Sequence, residues 1–329
     1  MLVPTTNGRN KLNLFSKSRF EALLCLPVRQ IDAIAQKAGS YHLPFNAPPS
    51  RRWFPRNPTV TKIRRIDHPV DPLKQLQDRI LNRLLEPLGL PENVKGGVKG
   101  RNLKDNIELH RNARVLVTLD IKSFFPSISN VMVYSIWRNQ LNCSPKIANI
   151  LTKLTTFERH LPQGAPTSTY LANLYLASIQ NEIVACCAEN KVVFSTWVDD
   201  LAFSGDNAPH VIETAVAVLQ RAGLGISHRK LKVMRPGSRK ILNGIIIGKE
   251  LNVPLKYRRD LRAGIHRLRR GHVNRCYLDK YTRSMLGRIA YVLHFNPKWG
   301  ERLHAEFVAE VEVARKQLGL KTKHGRSQS

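Results

Sequence analysis

This chain is poor in the features that would make it a secreted or membrane protein. Its five cysteines, Cys25, Cys143, Cys186, Cys187 and Cys276, include no Cys-x-x-Cys pair and are odd in number. That argues against both a disulfide framework and a cysteine zinc site, and fits a reducing compartment, the cytoplasm. No apolar run approaches the roughly 20 residues needed to cross a bilayer. The opening MLVPTTNGRNKLNLF has no long apolar core of a secretory signal, so a soluble protein without a membrane partner is expected. Acidic residues are scarce: 24 Asp plus Glu stand against 53 Lys plus Arg, a formal charge of +29 in 329 residues. A polyanionic partner follows, with nucleic acid ahead of a membrane surface.

The charge is unevenly placed. Residues 139–220 carry four basic and seven acidic residues, whereas residues 221–329 carry 26 basic and seven acidic ones, and residues 51–65 form another basic cluster. Two basic flanks thus bracket a slightly acidic centre. The length suits one assembly of two or three subdomains, and no internal repeat is present.

Residues 15–37 have the apolar spacing of a helix, and the Pro-rich stretch LPFNAPPSRRWFPRNP reads as a loop. TVTKIRRI, residues 59–66, alternates as a strand does. Asp71 and Pro72 are a helix start, with Leu73, Leu76, Ile80 and Leu84 at helical intervals up to Pro87 and Gly89. RVLVTLD, residues 114–120, is a strand by its β-branched content, and Ser129 opens a helix to Leu141. Further expectations are a helix over 167–189, short strands over 191–198 and 201–204, a helix over 209–222, and a strand over 241–248. Basic helices follow from Tyr257, ending in the solvated tail KTKHGRSQS. This order favours an α+β fold, a mixed sheet with helices on one face, and carboxylates meeting at strand ends on the open face.

Two acidic sites stand out. Asp120 ends a strand, and Asp199-Asp200 lies in FSTWVDDLAFSG between two apolar stretches. Each has an ordinary explanation: a turn-capping Asp, and a tight hairpin with Asp at positive φ. Three carboxylates on strand ends of one sheet repel one another and need a cation; magnesium suits such hard oxygen donors and also binds substrate phosphates. Two ions ~4 Å apart activate a hydroxyl and stabilise a leaving oxygen in phosphoryl transfer. A third element, LPQGAPTSTYLANL, is either an ordinary helix entry or a shaped turn presenting the Gln163 amide to a ligand.

TLDIKSFFPSIS, LPQGAPTSTYLANL and TWVDDLAFSG, in this order and spacing, resemble the successive motifs of reverse transcriptases, most closely those of bacterial retrons. KIRRIDHPVDPLKQLQDRIL, GRNLKDNIELHRNARVLVTLD and SHRKLKVMRPGSRKILNGIIIG extend the resemblance over residues 41–317. It implies a right-hand polymerase: an extension over 1–58, fingers over 59–113 with part of 129–165, a palm of antiparallel sheet plus helices over 114–248, a basic helical thumb over 249–319 and a flexible tail over 320–329. Asp120, Asp199 and Asp200 become the catalytic carboxylates, holding two Mg2+, with Mn2+ as a substitute, together with Ile121. Phe125 becomes the aromatic gate against a ribose 2′-hydroxyl. Gln163 and Gly164 border the incoming dNTP, Lys62 and Arg64 approach its triphosphate, and Lys230 the pyrophosphate. Trp197, Val198, Asn243 and Gly244 lie near primer and template. Asn106 and His110 are either RNA contacts or core hydrogen-bonding residues, and Arg258, Arg259, Arg262, Arg269 and Arg270 are candidate RNA contacts.

This sequence departs from the family in three places: Trp197-Val198 replaces Tyr-Ala before the aspartates, Asn106-Ile107-Glu108-Leu109-His110 replaces Asn-Ala-x-x-His, and Leu242-Asn243-Gly244 replaces Val-Thr-Gly. Strand alternation puts Trp197 on the side of Asp199 and Val198 on the other. The resemblance implies RNA-directed DNA synthesis on a structured non-coding RNA that supplies template and priming 2′-hydroxyl. The product is a branched RNA–DNA (msDNA), and the setting is antiphage defence with an effector protein. Competing expectations are a group II intron-type reverse transcriptase and a non-catalytic RNA-binding scaffold.

Overall fold

A computed structural model describes residues 11–47 and 64–320. The chain forms two compact units, Met1–Pro236 and Gly237–Ser329. In the first, two helices replace the single expected one: α1 (Lys17–Leu24), capped by the Ser16 hydroxyl, and α2 (Val28–Gln36). The break falls where Cys25 turns left-handed at φ +50 and Pro27 takes the cap position of α2, since proline fits a helix start and not its interior. The Pro-rich stretch is only partly a loop. Its start forms β1 (His42–Ala47), antiparallel to β2 (Arg64–Pro69); each is an edge strand, where Pro44 and Pro69 are tolerated. The remainder, with residues 59–63 of the expected strand, lies outside the described residues.

α3 (Leu73–Ile80) starts after Pro72, not at Asp71; the Asp71 carboxylate instead accepts from the Gln75 side chain at 2.8 Å. Leu73, Leu76, Ile80 and Leu84 are all buried, as their spacing requires. α4 (Leu103–Glu108) is capped by Asn102. Then come β3 (Leu116–Asp120), the single turn α5 (Phe124–Ser127), and α6 (Asn130–Ser135), capped by Ser129. α7 (Pro145–Thr155) was not anticipated, although Ser144 followed by Pro145 is a helix-start signal.

The expected helix over 167–189 is interrupted. α8 (Ser168–Ile179) and α9 (Asn181–Glu189) meet at Gln180, whose buried side chain exchanges two hydrogen bonds with that of Asn93. β4 (Val193–Trp197) and β5 (Asp200–Ser204) form the hairpin, α10 (Ile212–Arg221) follows, and β6 (Lys232–Met234) returns to the sheet. Strand order is β4-β5-β3-β6, every pair antiparallel, so the sheet is antiparallel rather than mixed.

Register divides the sheet into two faces. Val117 and Leu119 of β3 lie opposite Phe203 and Leu201 of β5, and these four belong to one apolar cluster with residues of α3, α7, α8, α9 and α10. Thr118, Asp120, Ser195, Trp197, Asp200 and Ser204 share the other face by alternation. Leu116, Val193 and Ala202 lie on it too, so that face mixes apolar with polar side chains, and it carries Asp120 and Asp200.

In the second unit, the expected strand over 241–248 is a hairpin, β7 (Lys240–Leu242) and β8 (Ile245–Ile247). Asn243 and Gly244 both have positive φ, +47 and +84, the Asn-Gly solution of a two-residue turn whose twist matches the strands. Three helices follow: α11 (Leu255–Arg269), α12 (Leu278–Phe295) and α13 (Pro297–Gln317), the last capped by Asn296. Leu261, Ile265, Leu268, Tyr281, Ile289 and Phe307 are buried. Among the described residues no helix is long and apolar enough to cross a membrane.

Candidate active site

The pairing of β3 with β5 places Asp120 directly opposite Asp200. Directly opposed residues on an antiparallel pair share a face, with Cβ atoms about 5 Å apart, and like charges there repel. Asp120 is buried, Asp199 and Asp200 half-buried. A cation answers the repulsion: the Lys230 ammonium lies 2.5 Å from Asp120 Oδ2. Lys230 reaches it from the short turn His228–Lys230 after α10, whose approach is fixed by Ser227 N–H donating to the Asp120 carbonyl at 2.9 Å. Lys230, expected near the pyrophosphate, is thus the counter-ion of a carboxylate.

Asp199 belongs to the turn itself. Its carbonyl accepts from Ile121 N–H at 2.9 Å, which joins the hairpin tip to the residue after β3. Ile121 is buried with its side chain in the core. Among the described residues, no three or more His, Cys, Asp or Glu side chains are gathered as a metal cage. The donors are of a kind that suits a divalent ion: Asp120 and Asp200 offer hard carboxylate oxygens at directly opposed strand positions, and the ammonium on Asp120 marks a place that favours a cation.

Strand alternation does not extend through the tip as expected. Val198 and Asp199 are the two central residues of the turn, and Val198 takes φ +58 while Asp199 does not take positive φ. Trp197 therefore shares its face with Asp200, its partner in the register, and with Asp120. A β-branched residue in the left-handed region costs about 1–2 kcal/mol. Asp is the residue expected to take this conformation; valine takes it instead.

Phe125 sits in α5, half-buried against the core, its ring 5.8 Å from that of Phe124. Gln163 and Gly164 lie against β2: the Gln163 carbonyl accepts from Asp67 N–H at 2.8 Å. Gly164 has φ +120, and a Cβ there would come within 2.8 Å of Ile66 Cγ2. Gly164→Ala is accordingly expected to lose ~1–3 kcal/mol in urea denaturation; no loss would mean that this contact relaxes freely. Asp67 is held in turn by Arg65, which also pairs with Glu158. Arg64 pairs with Ala47 in the backbone register, and Lys62 lies outside the described residues.

His110 and Asn106 are buried, 0% and 1% exposed, which favours the core hydrogen-bonding role of the two weighed from the sequence. The two ring nitrogens of His110 engage Ser204 Oγ at 2.7 Å and Ser195 Oγ at 2.8 Å, tying the loop after α4 to both strands of the hairpin. Burial holds its pKa down, from 6.5 to about 4. A depressed His pKa means that the unfolded chain binds the proton first. The stabilisation is complete above about pH 6.5 and is lost as pH falls toward 4, amounting to about 3 kcal/mol. Denaturation midpoints between pH 7 and 4.5 should fall more steeply in the parent protein than in His110→Gln.

In the second unit, Arg259, Arg262, Arg269 and Arg270 are exposed and Arg258 is half-buried. Arg269, 52% exposed, is ion-paired: its Nε lies 2.8 Å from Glu310 and its Nη2 3.3 Å from Glu306. Asn243 and Gly244 form the β7–β8 turn of the same unit.

One set of residues went unnoticed in the sequence. Residues 93–96 run along the free edge of β4: Thr196 N–H donates to Asn93 O, and its carbonyl accepts from the Lys95 and Gly96 N–H groups. Asn173, inside LPQGAPTSTYLANL, donates to the Gly96 carbonyl at 2.8 Å. The signal was available in the glycine pair Gly96-Gly97 after a proline-initiated loop, which marks close backbone approach.

Comparison with known proteins supplies the context. The family described as "Reverse transcriptase (RNA-dependent DNA polymerase)" matches residues 55–267. The Retron Mx65 reverse transcriptase of Myxococcus xanthus is 29% identical over 264 residues, covering 73% of this chain and 60% of that protein. The Retron Ec86 reverse transcriptase of Escherichia coli is 26% identical over 246 residues, covering 74% of this chain and 75% of that protein. The Retron Se72 reverse transcriptase of Salmonella heidelberg (strain 579083-10) is 29% identical over 203 residues, covering 62% of this chain and 51% of that protein.

Proposed function

The chain belongs to the reverse transcriptase family, and from that premise we propose that it is an RNA-directed DNA polymerase of a retron. The observation that carries this reading is the opposition of Asp120 and Asp200 on one sheet face with Asp199 at the adjoining tip. Asp120, Asp199 and Asp200, with the Ile121 carbonyl, would hold magnesium, or manganese in its place; what such ions supply when bound is Lewis-acid activation of the primer hydroxyl and of the leaving phosphate oxygen. Phe125 excludes a ribose 2′-hydroxyl and so selects dNTPs. Gln163 and Gly164 border the nucleotide, Lys62 and Arg64 approach its triphosphate, and Lys230, 59% exposed, leaves Asp120 for the departing pyrophosphate.

In this reading residues 59–113, with part of 129–165, are fingers, 114–248 the palm and 249–319 the thumb. Arg258, Arg259, Arg262, Arg269 and Arg270 meet the RNA backbone, and binding weakens steeply with salt. The partner is a structured non-coding RNA that offers both template and priming 2′-hydroxyl. The branched RNA–DNA product serves antiphage defence in the cytoplasm beside an effector protein.

The test is to purify the protein with its bound nucleic acid, sequence that nucleic acid, and supply dNTPs with magnesium. DNA covalently joined to one structured RNA is the expected result. RNA binding with no metal-dependent incorporation would overturn the reading in favour of an RNA-binding scaffold.

A further inference from the structure

The Asp199-Asp200 hairpin has support on one side only from β5's neighbour β3; on the β4 side it would present a bare edge. That edge is occupied by the segment 90–101, built as a rigid brace. Arg101 gathers three of its carbonyls, from Leu90 at 2.7 Å, from Pro91 at 2.6 Å and from Val94. Asn93 is locked to Gln180 between α8 and α9. Val94 bridges to Thr196 in parallel fashion. Buried Asn173 of α8 holds the Gly96 carbonyl.

The end of this brace abuts the turn. A Cβ on Gly96 would lie 2.5 Å from Val198 N and 2.8 Å from Trp197 Cα and C. All three are backbone atoms of the residues that precede Asp199, so no side chain can swing aside to make room. Gly97, at φ +68, is fixed against α8, where a Cβ would come within 2.3 Å of Thr169 Cγ2. The brace is therefore pressed between α8 and the turn and cannot retreat from either.

We propose that Gly96, held by Asn173, is a positioning residue for the carboxylate hairpin: its bare backbone is the stop against which the Trp197-Val198 turn rests, and it sets where Asp199 and Asp200 stand relative to Asp120. This rests on the polymerase reading above. The left-handed Val198 agrees with it, since a strained turn persists only where its surroundings over-determine it. A displacement of about 1 Å at reacting groups costs on the order of 10²-fold in rate, so a methyl group at position 96 is enough to matter.

The experiment compares the parent protein with Gly96→Ala and Asn173→Leu, each bound to its RNA. Two readouts are taken: steady-state DNA synthesis, and hydrogen exchange of the amides in residues 193–204. Gly96→Ala should lower kcat by ~10²-fold with dNTP KM and RNA affinity within about threefold of the parent, and should speed exchange in the hairpin while α7 and α10 stay protected. Asn173→Leu should do the same more weakly, as it removes the hold on Gly96 but not the stop.

Unchanged kcat and unchanged hairpin exchange in Gly96→Ala would overturn the proposal. So would equal loss of protection throughout residues 64–236, which marks a merely structural glycine. Should Gly96→Ala not fold, Asn173→Leu decides by the same two readouts. If the parent makes no DNA, the polymerase reading fails, and hairpin exchange alone judges the brace: faster exchange confined to residues 193–204 supports it, and no change rejects it.

Discussion

Asp120→Asn is expected to reduce metal-dependent DNA synthesis by ~10³-fold or more, equivalent to about 4 kcal/mol of transition-state stabilisation, while the protein remains folded. The two halves of that expectation have different origins. The substitution keeps shape but removes the charge of the one carboxylate that is both buried and opposite Asp200, so the site loses an anionic donor where a divalent ion would be held. Stability should hardly move. The Lys230 partner is 59% exposed, so water solvates its ammonium once the pair is lost; relief of the Asp120-Asp200 repulsion works in the opposite direction. Asp199→Ala should abolish synthesis as well, with RNA still bound. Thermal melts run beside the extension assay separate loss of chemistry from loss of fold. Activity within tenfold of the parent in either variant would remove that residue from the catalytic set.

The largest effect on stability is expected at Phe203. Its side chain is fully buried on β5, the strand between β4 and β3, and is stacked on Phe194 with ring centroids 4.9 Å apart and planes 10° from parallel. Phe203→Ala removes a ring from a close-packed site that collapses only in part, at a cost of about 3–5 kcal/mol. For a domain of this size that corresponds to a melting-temperature drop on the order of 10 °C. Phe203→Leu should cost clearly less, since most of the volume remains. Phe203 lies on the face opposite Asp200, so any protein that folds should keep its carboxylate geometry and turn over normally at low temperature. A loss under about 1 kcal/mol in Phe203→Ala would mean that the ring is not part of the packed core.

These expectations draw unequally on sequence and structure. Local chemistry was readable along the chain: β3 from its β-branched run, α6 from the Ser129 cap, the burial of Leu73, Leu76, Ile80 and Leu84 from their spacing, and the resemblance to reverse transcriptases from the ordered acidic motifs. All but the last depend on neighbours within about one helical turn or one strand, where periodicity and capping act. Some local signals were outweighed. Residues 15–37 and 167–189 each read as one helix, but the first is interrupted before Pro27 and the second at Gln180, whose side chain bonds Asn93.

What lay beyond the sequence was register and close approach. Asp120 and Asp200 are 80 residues apart, and alternation alone paired Asp199 with Trp197. Which carboxylate faces Asp120 is decided by the alignment of two hydrophobic strand faces, where a slip of one residue would turn every side chain to the other side. The fit of Gly96 beneath Val198 depends on residues about 100 positions apart meeting at backbone contact, and the neutral His110 on two serines brought side by side by the hairpin. The sequence by itself determined the ordered acidic motifs and most of the local elements that bear them. Only the tertiary structure decided which of those groups meet, because packing sums contacts that no local pattern contains.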